Sequence, residues 1–351
     1  MKLLFVLEDF TLGGVERVTL QLITGLVKTY DCTVEVAAQS LSGPLLDKFR
    51  EVACVTNNAS SHKSFRQLTR RIEPDLVIFT KGGLSRLKFS VANHCKTVVI
   101  QHVPIQLPEA GRIKNVIRRC VASILFRMVD KVICVSDGIL DNLVALKVCS
   151  PEQALRIYNP VLSEEIQTLA QHQQHDYQNY YVCVGRLHFQ KGYDLLIESI
   201  KLASLNGAKV VILGDGPNKR ELEQAIADNA LQGQIILHGP SDNPYKYMQG
   251  AKAILLPSRW EGLPTVLVEA SFLGVPMVAF DCRYGPKELS QNGKYGHLIP
   301  QGDIKGFADA IDAVEQGKAL APPKTDEFTL KSAVANYHNL FLSLLSDSKL
   351  G

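Results

Sequence analysis

Short apolar runs recur along this chain, separated by longer stretches with helical spacing. In the first half, Leu3–Leu7, Thr33–Ala38, Val52–Thr56, Asp75–Thr80, Thr97–His102 and Lys131–Val135 read as strands. In the second half, Tyr180–Val184, Val210–Leu213, Ile235–Leu237, Ala253–Leu256, Met277–Phe280 and Gly296–Pro300 read the same way. Continuous apolar runs, rather than strict alternation, mark strands covered on both faces, as in parallel sheets. Segments such as Val15–Lys28 place Val15, Val18, Leu22 and Leu26 on one helical face. The alternation of strand and helix predicts an α/β protein built from doubly wound parallel sheets.

The pattern stops and restarts once. Asn159-Pro160 is a turn signal at the close of the first series. The stretch 163–179 ends in QHQQHDYQN, which has no apolar period and reads as a polar linker. His172 and His175 within it are spaced like a metal pair, but no Cys or carboxylate cluster accompanies them, so no metal is assigned. Two domains follow: 1–162, and 180–327 after the 163–179 linker. The last amphipathic segment, about 328–351, carries Ala333, Tyr337, Leu340, Phe341 and Leu344 on its apolar side. A length of 351 residues at 46% apolar content is enough for two cores.

Charge and cysteines narrow the class. The net charge of +3 does not argue for nucleic acid. Residues 1–178 hold 21 Lys/Arg against 17 Asp/Glu, or +4, and the remainder holds 17 against 18, or −1. The positive excess therefore sits in the first half. Eight cysteines without a CxxC pair read as buried free thiols of a reducing compartment. The apolar run Leu3–Leu7 is too short for a signal peptide or a membrane span, so the expectation is a cytoplasmic chain.

Residues 253–288, AILLPSRWEGLPTVLVEASFLGVPMVAFDCRYGPKE, carry the densest chemistry. A strand ends at Pro257-Ser258, and Gly262, Leu263 and Pro264 turn into a helix from Thr265 to Leu273. A helix start after a tight loop presents free N–H groups and a positive dipole end to an anion. Glu261 and Glu269 frame that point, eight positions apart. Acids beside a phosphate repel it, so these two suit hydroxyl groups on either side. Spacing alone also fits a solvated helix with an ordinary N-terminal acid. Gly185-Arg186 and Lys191-Gly192 flank another strand–helix loop, where two cations could hold a diphosphate or stand solvated. Gly13-Gly14 after the first strand fits a ligand loop or a plain turn, and the full GxGxxG pattern is missing. His102, at a strand end, fits a packed or capping histidine as well as a functional one.

Residues 112–131 form a basic helix with Ile117, Val121, Ile124, Leu125 and Met128 as one apolar stripe. Phe126 falls away from the stripe, near Arg119, as an outward aromatic. Such a helix fits an anionic membrane surface, or a surface helix packed on its own sheet with a solvated basic face.

Three runs, GRLHFQKGYDLLIESI, LGDGP and PSRWEGLPTVLVEASFLGVPMVAFD, resemble the C-terminal domain of retaining GT-B glycosyltransferases of family 4. The resemblance is strong over about 180–310 and weaker, but in order, through the first half. DCRYGPKEL resembles bacterial members that build surface polysaccharide, lipooligosaccharide or capsule. The resemblance implies a GT-B fold, two Rossmann-like domains facing each other across a cleft. The first domain would take the acceptor, the second the nucleotide sugar, and the last helix would cross back to the first.

It also implies roles. Arg186 and Lys191 would hold the diphosphate, with the amides of Leu263, Thr265 and the Gly13-Gly14 loop. Glu269 would bind the ribose and Glu261 the transferred sugar. His102 would stand beside the anomeric carbon, and the base would rest near His238–Pro240. Gly185, Asp215, Gly262 and Pro264 would complete the donor site. The implied reaction moves a hexose or N-acetylhexosamine, with retention, from a nucleotide sugar, by preference UDP-linked, to a glycan or lipid-linked acceptor. No Asp-x-Asp occurs, so no metal-bridged diphosphate and no cofactor are expected. The expected location is cytoplasmic, peripheral on the inner face of the membrane through 112–131. The alternatives are a nucleotide-sugar epimerase of the same fold, which would need no acceptor, and a non-catalytic nucleotide-sugar-binding subunit, which would lack Arg186, Lys191 or Glu261.

Overall fold

The computed structural model describes residues 1–92, 95–106, 111–163, 165–171 and 177–347. His172 and His175 lie outside the described residues, as does the end of the expected last helix. The chain divides into two compact units: Met1–Pro160 together with the segment from Glu327 onward, and Val161–Asp326.

The first unit runs β1 (Lys2–Leu7), α1 (Gly14–Tyr30), β2 (Thr33–Ala38), α2 (Leu46–Val52), β3 (Cys54–Thr56), α3 (His62–Ile72), β4 (Leu76–Phe79), β5 (Lys96–Gln101), α4 (Arg112–Phe126), β6 (Lys131–Cys134), α5 (Asp137–Ala145) and β7 (Ala154–Arg156). Its seven strands are parallel, in the order β3-β2-β1-β4-β5-β6-β7. The second unit runs α6 (Glu165–Gln171), β8 (Tyr180–Val184), α7 (Tyr193–Ile200), β9 (Lys209–Leu213), α8 (Lys219–Asp228), β10 (Ile235–Gly239), α9 (Tyr245–Gln249), β11 (Ile254–Leu256), α10 (Thr265–Phe272), β12 (Met277–Asp281), α11 (Pro286–Leu289), β13 (His297–Pro300) and α12 (Ile304–Glu315). Its six strands are also parallel, in the order β10-β9-β8-β11-β12-β13. The last helix, α13 (Leu330–Asp347), belongs to the first unit.

The apolar runs became strands because both sheet faces are covered. Leu4, Phe5, Val6, Val77, Ile78 and Val98 are all fully buried, as continuous runs require. In each sheet the strand order reverses once, between β1 and β4 and between β8 and β11. Loops at the carboxyl ends of such strand pairs flank a crevice where open α/β sheets take their ligands.

α13 completes the first unit's core with Val334, Tyr337, Phe341 and Leu344. It lies so close to α1 that a Cβ on Gly25 would stand 2.4 Å from Val334 Cγ2. His338 stacks on Tyr30, with ring centroids 3.7 Å apart.

Cys54 and Cys120, read with the other cysteines as buried, are exposed, and two expectations about the elements change. The linker expected over 163–179 is in part helical: α6 buries Ile166 and Ala170, four positions apart, and Leu169 carbonyl accepts from Asn243 Nδ2 at 2.8 Å. A helix this short shows no period long enough to read in a polar sequence. The second change is α4. Phe126, expected to face outward, is only 1% exposed, and Ala122 is buried beside it on the same face. Most of the apolar stripe faces solvent: Ile124 is 62% exposed and Ile117 56%, with Val121 and Met128 also open, as is Ile113 nearby. The period was correct, but the sheet takes the face with the one large aromatic.

Candidate functional site

In the second unit, the loop after β8 and the loop after β11 meet at the switch point. The chain leaves β8 at Gly185, passes Arg186, and enters α7 through Gly192, which has φ +66°. A Cβ on Gly192 would lie 2.0 Å from the Pro257 carbonyl oxygen, so only glycine allows the two loops this close. Backbone bonds seal the contact: Arg259 N–H donates to the Gln190 carbonyl at 2.8 Å, and Gln190 Nε2 donates to the Trp260 carbonyl at 2.9 Å. Arg259 Nη1 also donates to Asp194 at 2.8 Å.

This clamp brings together residues 70 positions apart. Lys191 Nζ donates to Glu261 Oε1 at 2.8 Å, and Ser258 Oγ donates to the same oxygen at 2.6 Å. Both acid and hydroxyl are buried. An ammonium has three donors, and the ion pair uses one of them. Glu261 Oε2 has no partner among the described residues. Arg186 is exposed, with no side-chain partner among the described residues. α10 begins at Thr265, after Gly262, Leu263 and Pro264, and no side chain caps it. The amides of Leu263 and Thr265 take no backbone partner among the described residues. Two cations and an uncapped helix start thus stand at the ends of β8 and β11, a favourable setting for a doubly charged anion.

Glu269 sits in the second turn of α10. Burial pushes its carboxyl up to about 8. Its carboxylate makes no hydrogen bond or ion pair among the described residues, so nothing in the protein offsets the lost hydration. A group that donates hydroxyl hydrogens to it would favour the ionised form.

Asp215 and Pro240 lie farther along the same sheet edge, after β9 and β10, and both are exposed. Asp215 Oδ1 accepts from the Gly216 amide at 2.9 Å. The His238 ring is held at both nitrogens, by Tyr177 at 2.9 Å and Tyr247 at 3.2 Å.

The remaining expected residues are in the first unit. Gly13 precedes α1, where a Cβ on it would be 2.2 Å from Glu16 Oε2. Glu16 therefore folds back over the glycine pair, while Gly14 has open space around it. The buried Glu16 pairs with Lys81 Nζ at 2.9 Å, and Lys81 also reaches Glu8 at 2.7 Å. A carboxylate occupies the helix start that was expected to help cradle a phosphate. Only an acid in the first turn of a helix signalled this in the sequence. His102 follows β5 and donates a ring N–H to the Thr80 carbonyl, while burial and the Lys81 charge hold its imidazole down to about 4. The ring is therefore neutral at physiological pH. Its Nε2 is buried without a partner among the described residues. Ser258, Glu16 and Lys81 take part in these arrangements, and sequence reasoning did not single them out.

Two family models cover most of the chain: glycosyl transferases group 1 over residues 165–327, and glycosyltransferase family 4 over residues 12–165. The chain belongs to the family 4 glycosyltransferases. Their two models meet where the two units do. The chain is 28% identical over 218 residues, 62% of this chain and 57% of the relative, to the N-acetylgalactosamine-N,N'-diacetylbacillosaminyl-diphospho-undecaprenol 4-alpha-N-acetylgalactosaminyltransferase of Campylobacter jejuni. Three other relatives align over only 35%, 34% and 34% of their own length, so the chain spans about a third of those proteins. Among solved structures, Anabaena Alr3699/HepE in complex with UDP superposes with a TM-score of 0.81 at 20% identity, covering 98% of this chain and 100% of that one. The apo lipopolysaccharide outer core galactosyltransferase WaaB gives 0.77 at 21% identity, with 98% and 99% covered. These likenesses establish the GT-B fold.

Proposed function

We propose that this chain is a retaining glycosyltransferase of bacterial surface-polysaccharide or lipopolysaccharide synthesis. It transfers a hexose or N-acetylhexosamine from a UDP-sugar to a glycan or lipid-linked acceptor, without a metal ion. One observation carries the reading: Lys191, paired with Glu261, and Arg186, which has no side-chain partner among the described residues, lie in the loop after β8 that is clamped to the loop leading into the uncapped start of α10. The diphosphate of the donor takes the remaining donors of Lys191, the Arg186 fork and the amides of Leu263 and Thr265. Charge that develops on the departing phosphate is stabilised by groups fixed before the reaction. Glu261 Oε2 accepts from the transferred sugar, and Glu269 accepts from the ribose. Retention by attack on the face the diphosphate leaves fits a site whose one well-placed carboxylate is already held by Lys191 and Ser258. The N-acetylgalactosaminyltransferase among the relatives and the UDP bound by the Anabaena protein support the substrate class.

The first unit takes the acceptor, with His102 as a neutral hydrogen-bond acceptor. α4 rests on the anionic inner face of the membrane, with its isoleucines in the interface and its basic residues at the headgroups. Among the described residues, no helix is long and apolar enough to cross a membrane.

A thermal-shift panel of UDP-, GDP- and ADP-sugars tests the donor. Stabilisation by UDP-sugars that is lost in Arg186→Ala and Lys191→Ala is expected, and no response to any nucleotide sugar would remove the reading.

A further inference from the structure

A cavity of about 550 Å³ opens in the first unit between α4 and the carboxyl end of β5. Its size is that of a small-molecule site. Its lining is mostly apolar, with Ile105, Ile117, Val121, Ala122, Leu125 and Phe126. The inner end carries Gln101 and His102. Gln101 Nε2 donates to the Val103 carbonyl, which fixes the amide so that Oε1 is the free atom, and Oε1 is buried without a partner among the described residues. His102 Nε2 is likewise buried and unpartnered, because its other ring nitrogen is engaged by Thr80. Two residues that line one cavity thus each carry an orphaned acceptor. Each costs free energy until a donor reaches it. Lys81 and Arg118 are the charged residues that line the cavity, with no acid among the described residues. Arg118 is anchored through Nε to the Ile105 carbonyl at 2.8 Å.

A sugar alone does not suit this space. Phe126 is the one aromatic among the lining residues, and the aliphatic remainder offers a sugar ring few hydrogen-bond partners. A hydrocarbon chain does suit it, and the two acceptors at the inner end suit hydroxyl hydrogens. We infer that the cavity takes an amphiphilic acceptor, with its hydrocarbon chain along the inner side of α4 and a hydroxylated end at Gln101 and His102. This rests on the glycosyl-transfer reading and narrows its acceptor to a lipid-linked one. Ile113, Val116 and Ile124, which do not line the cavity, are exposed on the same helix, and the helix carries no acid. A chain drawn from the bilayer would therefore pass along one helix from the membrane to the site.

The test is calorimetric titration of the full chain with octyl glucoside and geranyl glucoside, both below micelle formation, and with methyl glucoside. The two chain-bearing glucosides are expected to bind at one site per chain. Methyl glucoside is expected to bind at least about tenfold more weakly. Whichever chain binds tighter marks the natural chain as straight or branched, and both results support the site. Ala122→Phe fills the cavity, and Val121→Trp narrows its mouth from a half-exposed position that tolerates bulk. Each should weaken chain-bearing probes roughly tenfold, the effect of losing about two buried methylene groups, and thermal unfolding checks that each variant folds. Equal binding of methyl and alkyl glucosides, or unchanged affinity in both variants, overturns the proposal. UDP binding is measured separately. Octyl glucoside binding without UDP binding would remove the transferase reading and leave the cavity site standing.

Discussion

Lys191 and Glu261 form an ion pair at 2.8 Å across the junction of two loops that are 70 residues apart in sequence. The pair joins the residue proposed to hold the diphosphate to the residue proposed to bind the sugar. Neither can be altered without disturbing the other.

Lys191→Ala should lower transfer roughly a hundredfold or more, the scale of losing one preorganised donor to a developing charge. It also leaves a buried carboxylate unpaired, which costs up to about 3–5 kcal/mol where burial is complete and less here, because Lys191 reaches solvent. The double variant Lys191→Ala/Glu261→Gln should regain part of the lost melting temperature and none of the activity. A double variant that recovers transfer, or a single variant as active as the parent, would contradict these roles.

Gly192→Ala should be far more damaging than its size suggests. The left-handed conformation costs an alanine about 1–2 kcal/mol, and its Cβ would meet the Pro257 carbonyl at 2.0 Å. Both stability and transfer are expected to fall, because the loop that carries Lys191 must move. Gly233→Ala, with open space around it, should stay within about 0.5 kcal/mol of the parent. Equal melting temperatures for the two variants would refute the close approach.

Glu269 should make stability fall as pH rises. Its carboxyl titrates near the ordinary value of 4.5 when unfolded and is pushed up to about 8 when folded. Between those values the folded chain holds the extra proton, so the contribution is complete below about 4.5 and is lost as pH climbs through about 8. Glu269→Gln does not titrate. The melting temperature of the Gln variant relative to the parent should therefore rise steadily from pH 5 to 8.5. A difference that stays constant over that range would show that burial does not raise this carboxyl.

Replacing Ile113 and Ile124 with glutamate should abolish flotation with anionic vesicles, and reversing Arg119 and Arg127 should weaken it by about 1 kcal/mol per residue. Neutral vesicles serve as the control. If the isoleucine variant floats like the parent, the exposed stripe does not meet the bilayer.

Much of this molecule was legible in the sequence. Each expected strand appears within a few residues, because a strand buried on both faces has to be apolar throughout. Helix α10 begins at Thr265 as expected, since Gly262 and Pro264 leave few other conformations. Pairings over long separations were not legible: nothing in the spacing of Lys191 and Glu261, or of Glu16 and Lys81, signals contact. The orientation of α4 was misjudged for a related reason. A helical period defines a face, but which face the sheet accepts depends on the shape of the hole beneath it, and Phe126 fills that hole. The short helix Glu165–Gln171 lies where composition suggested only a spacer, and packing against α9 maintains it rather than its own propensity.

The seating of α13 against Gly25 bears on how the molecule is made. Leu22, Ile23 and Leu26 emerge from the ribosome early, yet Val334, Tyr337 and Phe341, which complete the core around them, are synthesised some 300 residues later. The second unit, whose residues are contiguous, can close while translation continues. The amino-terminal sheet, though translated first, stays unsealed until the final helix arrives, and a nascent-chain chaperone would find its exposed side there.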